Sequence, residues 1–395
     1  MVKRWGALIA VALVVCLGVV GSGCLGGGGG GGGGGTTGNV KIGVILPLTG
    51  SLSSIAEVIK TGIDLAASDI NAAGGVNGKK VSLVYKDDKI DPPTGTQVYQ
   101  ELIGEKVKGI VGPIPSTITL QVISANEQKP ESNRVAIVTP ASTATELSGK
   151  SQYFFRALPS DAIQGPDAAT VIVNTLQKKS VALLYQNDIY GNGLKEEFEK
   201  KLSALGGTVA AEEAFQIGQT SFSAQVNKIK AANPEAVFIP GFYKELSLGI
   251  KELRSQGFTG IIVASEAIEN ADIFQIGGSA LKDILFMKAS VESTRATYAK
   301  FLTNYSAKYG GAKPGAYADY GYDALLTIVE TLRAKGVDAT STQIKDYMHQ
   351  TTFTTTVTRD VKFDSNGDLI GGGYILYKVQ CSDASCSSGD FVPYT

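Results

Sequence analysis

Two strand-to-helix junctions concentrate hydroxyl side chains in this chain. Ile110-Val111-Gly112-Pro113-Ile114-Pro115 runs into Ser116-Thr117 and then a helical stretch to Asn126. Ala136-Ile137-Val138-Thr139-Pro140 runs into Ala141-Ser142-Thr143-Ala144-Thr145-Glu146-Leu147. In each, a parallel strand delivers hydroxyls to the N-terminal end of a helix or turn. Free backbone N–H groups and the helix dipole make such an end suited to a carboxylate. Ligands of open α/β sheets sit beyond the carboxyl ends of the strands, which is where these hydroxyls fall. The same residues also fit plain capping: Thr143 with Glu146 makes a capping box, and Ser116 is a good cap. At this level both readings stand.

Other chemistries find less support. There is no G-x-S-x-G elbow, and the single histidine, His349, lies in a polar helical stretch. The glycines at 74, 75 and 78 precede a strand rather than follow one, so they make no dinucleotide fingerprint; Lys79-Lys80 lack the Ser or Thr of a phosphate loop. No catalytic residues and no cofactor are expected. Of four cysteines, only Cys381 and Cys386 lie in the body, and outside the cell they are expected to form a small disulfide closing a hairpin. With one histidine and no second cysteine pair, no metal site is expected. Charge is balanced, 36 basic against 37 acidic side chains with no long basic run, which leaves no electrostatic footprint for nucleic acid.

The elements that must hold these residues read as strands alternating with helices. Strands are expected at 40–46, 81–85, 109–111 and 135–138. Between the first two, Ile55, Val58, Ile59, Gly62, Ile63, Ala66 and Ile70 recur at helical spacing until Gly74-Gly75 breaks the helix. A second series begins at 181–184 and continues through 236–239 and 260–264, with a further strand at 284–287. Such alternation predicts α/β architecture, parallel sheets covered on both faces, and two series predict two lobes. Arg156 to Asp161 reads as a crossover between them. The C-terminal part reads as a hairpin of 361–363 with 374–379 about the Asp364–Asp368 turn.

The N-terminus reads as an export leader. Lys3 and Arg4 precede an apolar run of 16 residues, Trp5 to Val20, short for a membrane crossing. Ser22-Gly23-Cys24 resembles the lipobox of exported lipoproteins, with Gly21 where leucine is usual; an uncleaved N-terminal anchor is the alternative. The tract Gly26–Gly35 has nothing to bury and is expected to act as a leash of roughly 20 Å. About 357 residues remain after it, enough for two ordinary domains.

From Val40 to about Val379 the chain resembles the type I periplasmic binding proteins, specifically the leucine/isoleucine/valine-binding group that serves ABC importers. The resemblance is carried by Ile42-Gly43-Val44-Ile45-Leu46-Pro47-Leu48-Thr49-Gly50 and by Asp69-Ile70-Asn71-Ala72-Ala73-Gly74-Gly75-Val76-Asn77-Gly78. Asp87-Asp88, Asp91-Pro92, Thr139-Pro140-Ala141, Tyr190-Gly191, Phe222-Ser223-Ala224-Gln225 and Ala318-Asp319-Tyr320-Gly321-Tyr322-Asp323-Ala324 add to it. It implies two Rossmann-like lobes joined by three hinge crossings, with a ligand cleft between them. The first lobe would comprise 39–158 and 288–356, the second 159–287 and 357–395, after a signal peptide (1–23) and a lipid-anchored linker (24–38).

The resemblance also implies a site. Ser116, Ala141, Ser142 and Thr143 would take the α-carboxylate and α-amino groups of an amino acid, and Glu266 would pair with the ammonium from the other lobe. Tyr190, Phe242 and Tyr317 would wall the ligand, and Ile55 stands where leucine-binding relatives have a tyrosine. The function implied is a monomeric, lipid-anchored binding protein on the outer face of the cytoplasmic membrane. It would capture an amino acid, branched-chain or otherwise apolar, by lobe closure and pass it to a membrane permease. Alternatives are a binder of amides, urea or aromatic acids, a ligand-sensing receptor domain, and an exported enzyme.

Overall fold

Short apolar runs and amphipathic stretches alternate along the chain. In the computed structural model, which describes residues 38–395, they become strands and helices in that order. The leader, Cys24 and the glycine tract fall outside the described residues.

The first sheet is built from β1 (Val40–Leu46), β2 (Val81–Asp87), β3 (Ile110–Val111), β4 (Ile137–Thr139) and β5 (Phe154–Arg156), all parallel, in the order β2-β1-β3-β4-β5. Between its strands run α1 (Ser53–Ala72), α2 (Pro92–Gly104) and α3 (Ser116–Glu127). The apolar stripe of α1 is buried, and the helix ends where Gly74 and Gly75 take positive φ. Asp91 caps α2 by accepting from Thr94 N–H, with prolines in the first turn.

The chain then crosses at 157–160 into α4 (Asp161–Thr170), β6 (Ser180–Gln186), α5 (Ile189–Ala204), β7 (Thr208–Phe215), α6 (Ser223–Ala231) and β8 (Ala236–Ile239). It continues through α7 (Tyr243–Ser255), β9 (Ile261–Ala264), α8 (Ile273–Gly277) and β10 (Leu285–Ala289). It returns to cover the first sheet with α9 (Ala296–Lys308), α10 (Ala318–Lys335) and α11 (Ser341–Gln350), followed by the short pair β11 (Thr352–Phe353) and β12 (Val361–Lys362). β13 (Tyr374–Cys381) and β14 (Gly389–Pro393) complete a second sheet of order β14-β13-β10-β9-β8-β6-β7. The last two strands are antiparallel, and Cys381 and Cys386 are bonded to each other at the end of their hairpin.

Two expectations are corrected here. The strand at 374–381 pairs with β10 and β14, not with 361–363; β12 pairs instead with β11, and only the bridge between Phe363 and Leu369 remains of the expected hairpin. The lobe boundaries also shift. β10 stays in the second sheet through Ala289, whereas buried Asp323 on α10 accepts from Val357 N–H at 2.6 Å and Thr358 N–H at 2.9 Å. Arg156 of β5 binds Asp368, so 357–368 belong with the first sheet, and the chain re-enters the second at Tyr374.

The three crossings are bonded to one another. Ser290 N–H donates to Gly373 O at 2.9 Å, Gly373 N–H returns to Ser290 Oγ at 3.3 Å, and Tyr374 Oη donates to Pro159 O at 2.8 Å. Buried Arg359 donates to both oxygens of Ser290. These contacts hold the hinge in one place.

Candidate functional site

Both sheets have the same local order around their second-placed strand. In the first, the chain leaves β1 for one face and β3 for the other; in the second, β6 and β8 part in the same way. Such a switch point opens a crevice beyond the strand ends. The β1 and β3 exits carry Leu52, Ile55, Ile114 and Ser116, and the β6 and β8 exits carry Tyr190 and Phe242. All six line one cavity, completed by Ala141, Glu266, Ala267 and Tyr317.

Neither hydroxyl group of the sequence reading serves as a cap. Pro115 holds the N-cap position of α3 with no side-chain bond, which makes Ser116 the first helical residue. The turn at Thr145–Leu147 is capped by Ala144, also without a side-chain bond. Capping is thereby removed as the explanation of Ser116 and Thr143. Ser116 Oγ accepts from Ala144 N–H at 3.4 Å, which turns its own proton elsewhere, at the positive end of α3. Ala141 N–H is held by Thr139 Oγ1 at 3.3 Å, so the carbonyl is what Ala141 can offer a ligand.

Of the eight residues expected at the site, Ser116, Ala141, Tyr190, Phe242, Glu266 and Tyr317 line the cavity. Ser142 does not: its hydroxyl is bonded to Pro113 O at 3.1 Å, Ile114 O at 3.0 Å and Thr119 Oγ1 at 2.6 Å, bracing the β3–α3 turn. Thr143 stands behind the wall, with Oγ1 donating to Asp161 Oδ2 at 2.9 Å.

Asp161, not among the expected site residues, is a second acidic group just behind the cavity wall. It opens α4, is fully buried, and takes a further bond from Gln164 Nε2 at 3.3 Å; Gln164 Oε1 accepts Glu266 N–H at 3.4 Å. Burial pushes the Glu266 carboxyl up to about 7, against hydrogen bonds from its own backbone, Gln164, Tyr190 and Tyr317 that favour the charged form. Burial, and then the neighbouring charge of Glu266, likewise hold Asp161 well above the carboxylate range. No ion pair to either carboxyl occurs among the described residues, and the charge of Arg156 only partly offsets the rise at Asp161.

The aromatic walls are ordered by the same groups. Tyr190 Oη lies 3.0 Å from Ser265 Oγ and 3.4 Å from each oxygen of Glu266, and its ring stacks on Phe242 with centroids 5.5 Å apart. Tyr317 sits just before α10 at φ 65°, a left-handed conformation uncommon for a bulky side chain. It divides this cavity from a neighbouring one lined by Glu269, Lys288 and Asp319, where Lys288 pairs with Glu269.

At the mouth of the cleft the lobes touch. Asn270 Nδ2 donates to Ser54 Oγ at 3.1 Å, and Tyr243 Oη donates to Ser51 O at 3.2 Å. The lobes are therefore closed, and Ser116, Tyr190, Glu266 and Tyr317 are all buried. Among the described residues no cluster of His, Cys, Asp and Glu could hold a metal ion, and no helix is long and apolar enough to cross a membrane.

Comparison with known proteins agrees with this geometry. Residues 39–385 match the family described as periplasmic binding protein. An amino acid binding protein of Pseudomonas aeruginosa is 30% identical over 351 residues, covering 86% of this chain and 90% of its own. A leucine binding protein from Thermotoga maritima superposes with a TM-score of 0.81 at 29% identity, over 89% of this chain and 97% of that one. The substrate binding protein of a branched-chain amino acid transporter from Streptococcus pneumoniae, solved with isoleucine, superposes with a TM-score of 0.78 at 25% identity, over 90% and 99%.

Proposed function

The chain belongs to the periplasmic binding protein family, and on that premise we propose that it captures a free apolar amino acid, branched-chain ones foremost, and delivers it to an ABC-type permease. The observation that carries the reading is the pairing of unlike ends in one closed cavity. The buried carboxyl of Glu266, with Asp161 near enough behind the wall to feel its charge, calls for a cation, while Ser116 at the start of α3 offers a donor to an anion. A zwitterion meets both demands, and burying either of its poles unpaired would be costly. Leu52, Ile55, Ile114 and Phe242 then receive an apolar side chain. The similarity to proteins whose names specify leucine and branched-chain amino acids supports the same ligand class.

Binding acts by closure. Ser116 and Ala141 hold the ligand on the first lobe, and Glu266, Tyr190 and Phe242 arrive with the second, so occupancy favours the closed form that a permease can read. The protein acts as a carrier without turnover, as a monomer tethered outside the cell. The leader sequence and Cys24 support export and a lipid anchor.

A thermal-shift panel of the twenty amino acids with small amides and aromatic acids tests the ligand class. At a hundredfold excess over Kd a true ligand adds about 2.7 kcal/mol of stability. Leucine, isoleucine or valine should shift the melting point most. A panel in which only amides or aromatic acids act would replace this reading with one lacking the ammonium.

A further inference from the structure

Arg156 is the largest side chain wholly removed from solvent, and the binding scheme above does not use it. It ends β5, immediately behind the Ala141–Ala144 loop. Its guanidinium spends its donors in a fork: Nε to Asp368 Oδ1 at 2.6 Å, Nη1 to Thr143 O at 2.8 Å and Ala144 O at 2.9 Å, and Nη2 to Ser148 Oγ at 2.5 Å.

The peptide joining Thr143 to Ala144 is the link to the ligand. A peptide group is a rigid plane, so fixing its carbonyl fixes its N–H. The carbonyl end is fixed by Arg156 and by Asp161 N–H at 2.9 Å, and the N–H end donates to Ser116 Oγ. Because that oxygen is engaged as an acceptor, the hydroxyl proton of Ser116 is left for another partner. A cation on the carbonyl side also polarises the peptide, and such polarisation passes along hydrogen-bonded chains at low dielectric.

We propose that Arg156 is a positioning residue for ligand recognition: through the Thr143–Ala144 peptide it sets Ser116 as a donor to the ligand carboxylate. This rests on the amino-acid reading given above. The role needs the planar fork and not charge alone, since a lysine ammonium cannot hold two carbonyls, a hydroxyl and a carboxylate in one plane.

Calorimetry with leucine and leucinamide tests it, because the amide keeps the ammonium and side chain but lacks the anion. Wild-type protein should prefer leucine. In Arg156→Gln the affinity for leucine should fall by about tenfold or more, with leucinamide changed far less, so the preference collapses. Arg156→Lys should behave in the same way. A purely structural role would weaken both ligands together and leave their ratio intact, which overturns the proposal, as does full retention of the ratio in Arg156→Lys. Asp368→Asn loosens the fork without deleting it and should lower the ratio in part; an unchanged ratio there overturns the proposal even where the Arg156 variants do not fold. Wild-type protein that binds leucine and leucinamide alike would remove the carboxylate contact, and with it the amino-acid reading itself.

Discussion

Thr143 Oγ1 donates to Asp161 Oδ2 at 2.9 Å, tying the loop after β4 to the first residue of α4 across the first hinge crossing. The bond joins the anion-facing side of the cleft to its acidic side. Asp161→Asn keeps the shape and the acceptor but removes the charge. Affinity for leucine should fall about tenfold, the scale of a hydrogen bond to a charged group. Unchanged affinity by calorimetry would confine Asp161 to bracing the hinge.

Glu266→Ala should cost more. It removes the carboxylate nearest Tyr190 and leaves a buried ammonium short of its partner, a loss of about 3–5 kcal/mol. Near-normal amino-acid affinity in that variant would rule out the role assigned to this side chain.

The raised Glu266 carboxyl gives binding a pH dependence. In the ligand-free protein it is protonated below about 7, and an ammonium favours the ionised form, so binding must then expel a proton. Affinity should therefore weaken as pH falls below about 7, with proton release visible as a buffer-dependent heat. The ligand-free fold responds in the opposite sense. Between the ordinary value of 4.5 and about 7 the folded state holds a proton that the unfolded chain has lost. This group's contribution to stability is accordingly fullest at the acid end and declines as pH rises through that window. A melting point set by this group that climbs from pH 5 to 7 without ligand would contradict the assignment.

Gly62→Ala should disturb both fold and site. A Cβ there would lie 1.7 Å from Ala318 O, so α1 and α10 would have to separate. Overpacking of this kind costs about 1–3 kcal/mol. Since Tyr317 directly precedes Ala318, leucine affinity should fall together with the melting temperature. Gly104→Ala, where a Cβ would meet nothing within 4 Å, should leave both unchanged. Equal behaviour of the two variants in thermal and calorimetric measurements would contradict the role of the α1–α10 approach.

The proposed lipid anchor depends on Cys24. In a host that lipidates exported proteins, the wild-type chain should partition with membranes and detergent, and Cys24→Ser should move to the aqueous phase while still binding leucine. A variant that stays with the membrane would favour the uncleaved leader as the anchor.

Much of this fold can be read along the chain because its pattern is local. The strands of both sheets that are buried on two faces, such as 40–46 and 236–239, announce themselves as apolar runs between amphipathic helices. β5 escapes notice because three residues make no pattern, and β7 because it is an edge strand carrying Glu212 and Glu213. The misassigned C-terminal hairpin reflects pairing chosen at long range: on one side β13 takes β14, and on the other it finds β10, some ninety residues earlier, rather than the strand just before it. At the site, strand-end hydroxyls are visible from residue type and spacing, while Glu266 and the aromatic walls were suggested only by family resemblance. In the sequence Arg156 and Asp161 read only as the two ends of a crossover; only the folded arrangement shows them converging on Thr143.

Two bonds join the lobes directly beside the α1 start: Asn270 to Ser54 and Tyr243 to Ser51. Moving the lobes apart breaks both. On the proposed function, release of the ligand requires both bonds to break, so a permease that draws the lobes apart would do work against them. Small changes at Ser54 or Asn270 could then tune how long cargo dwells without altering what is chosen.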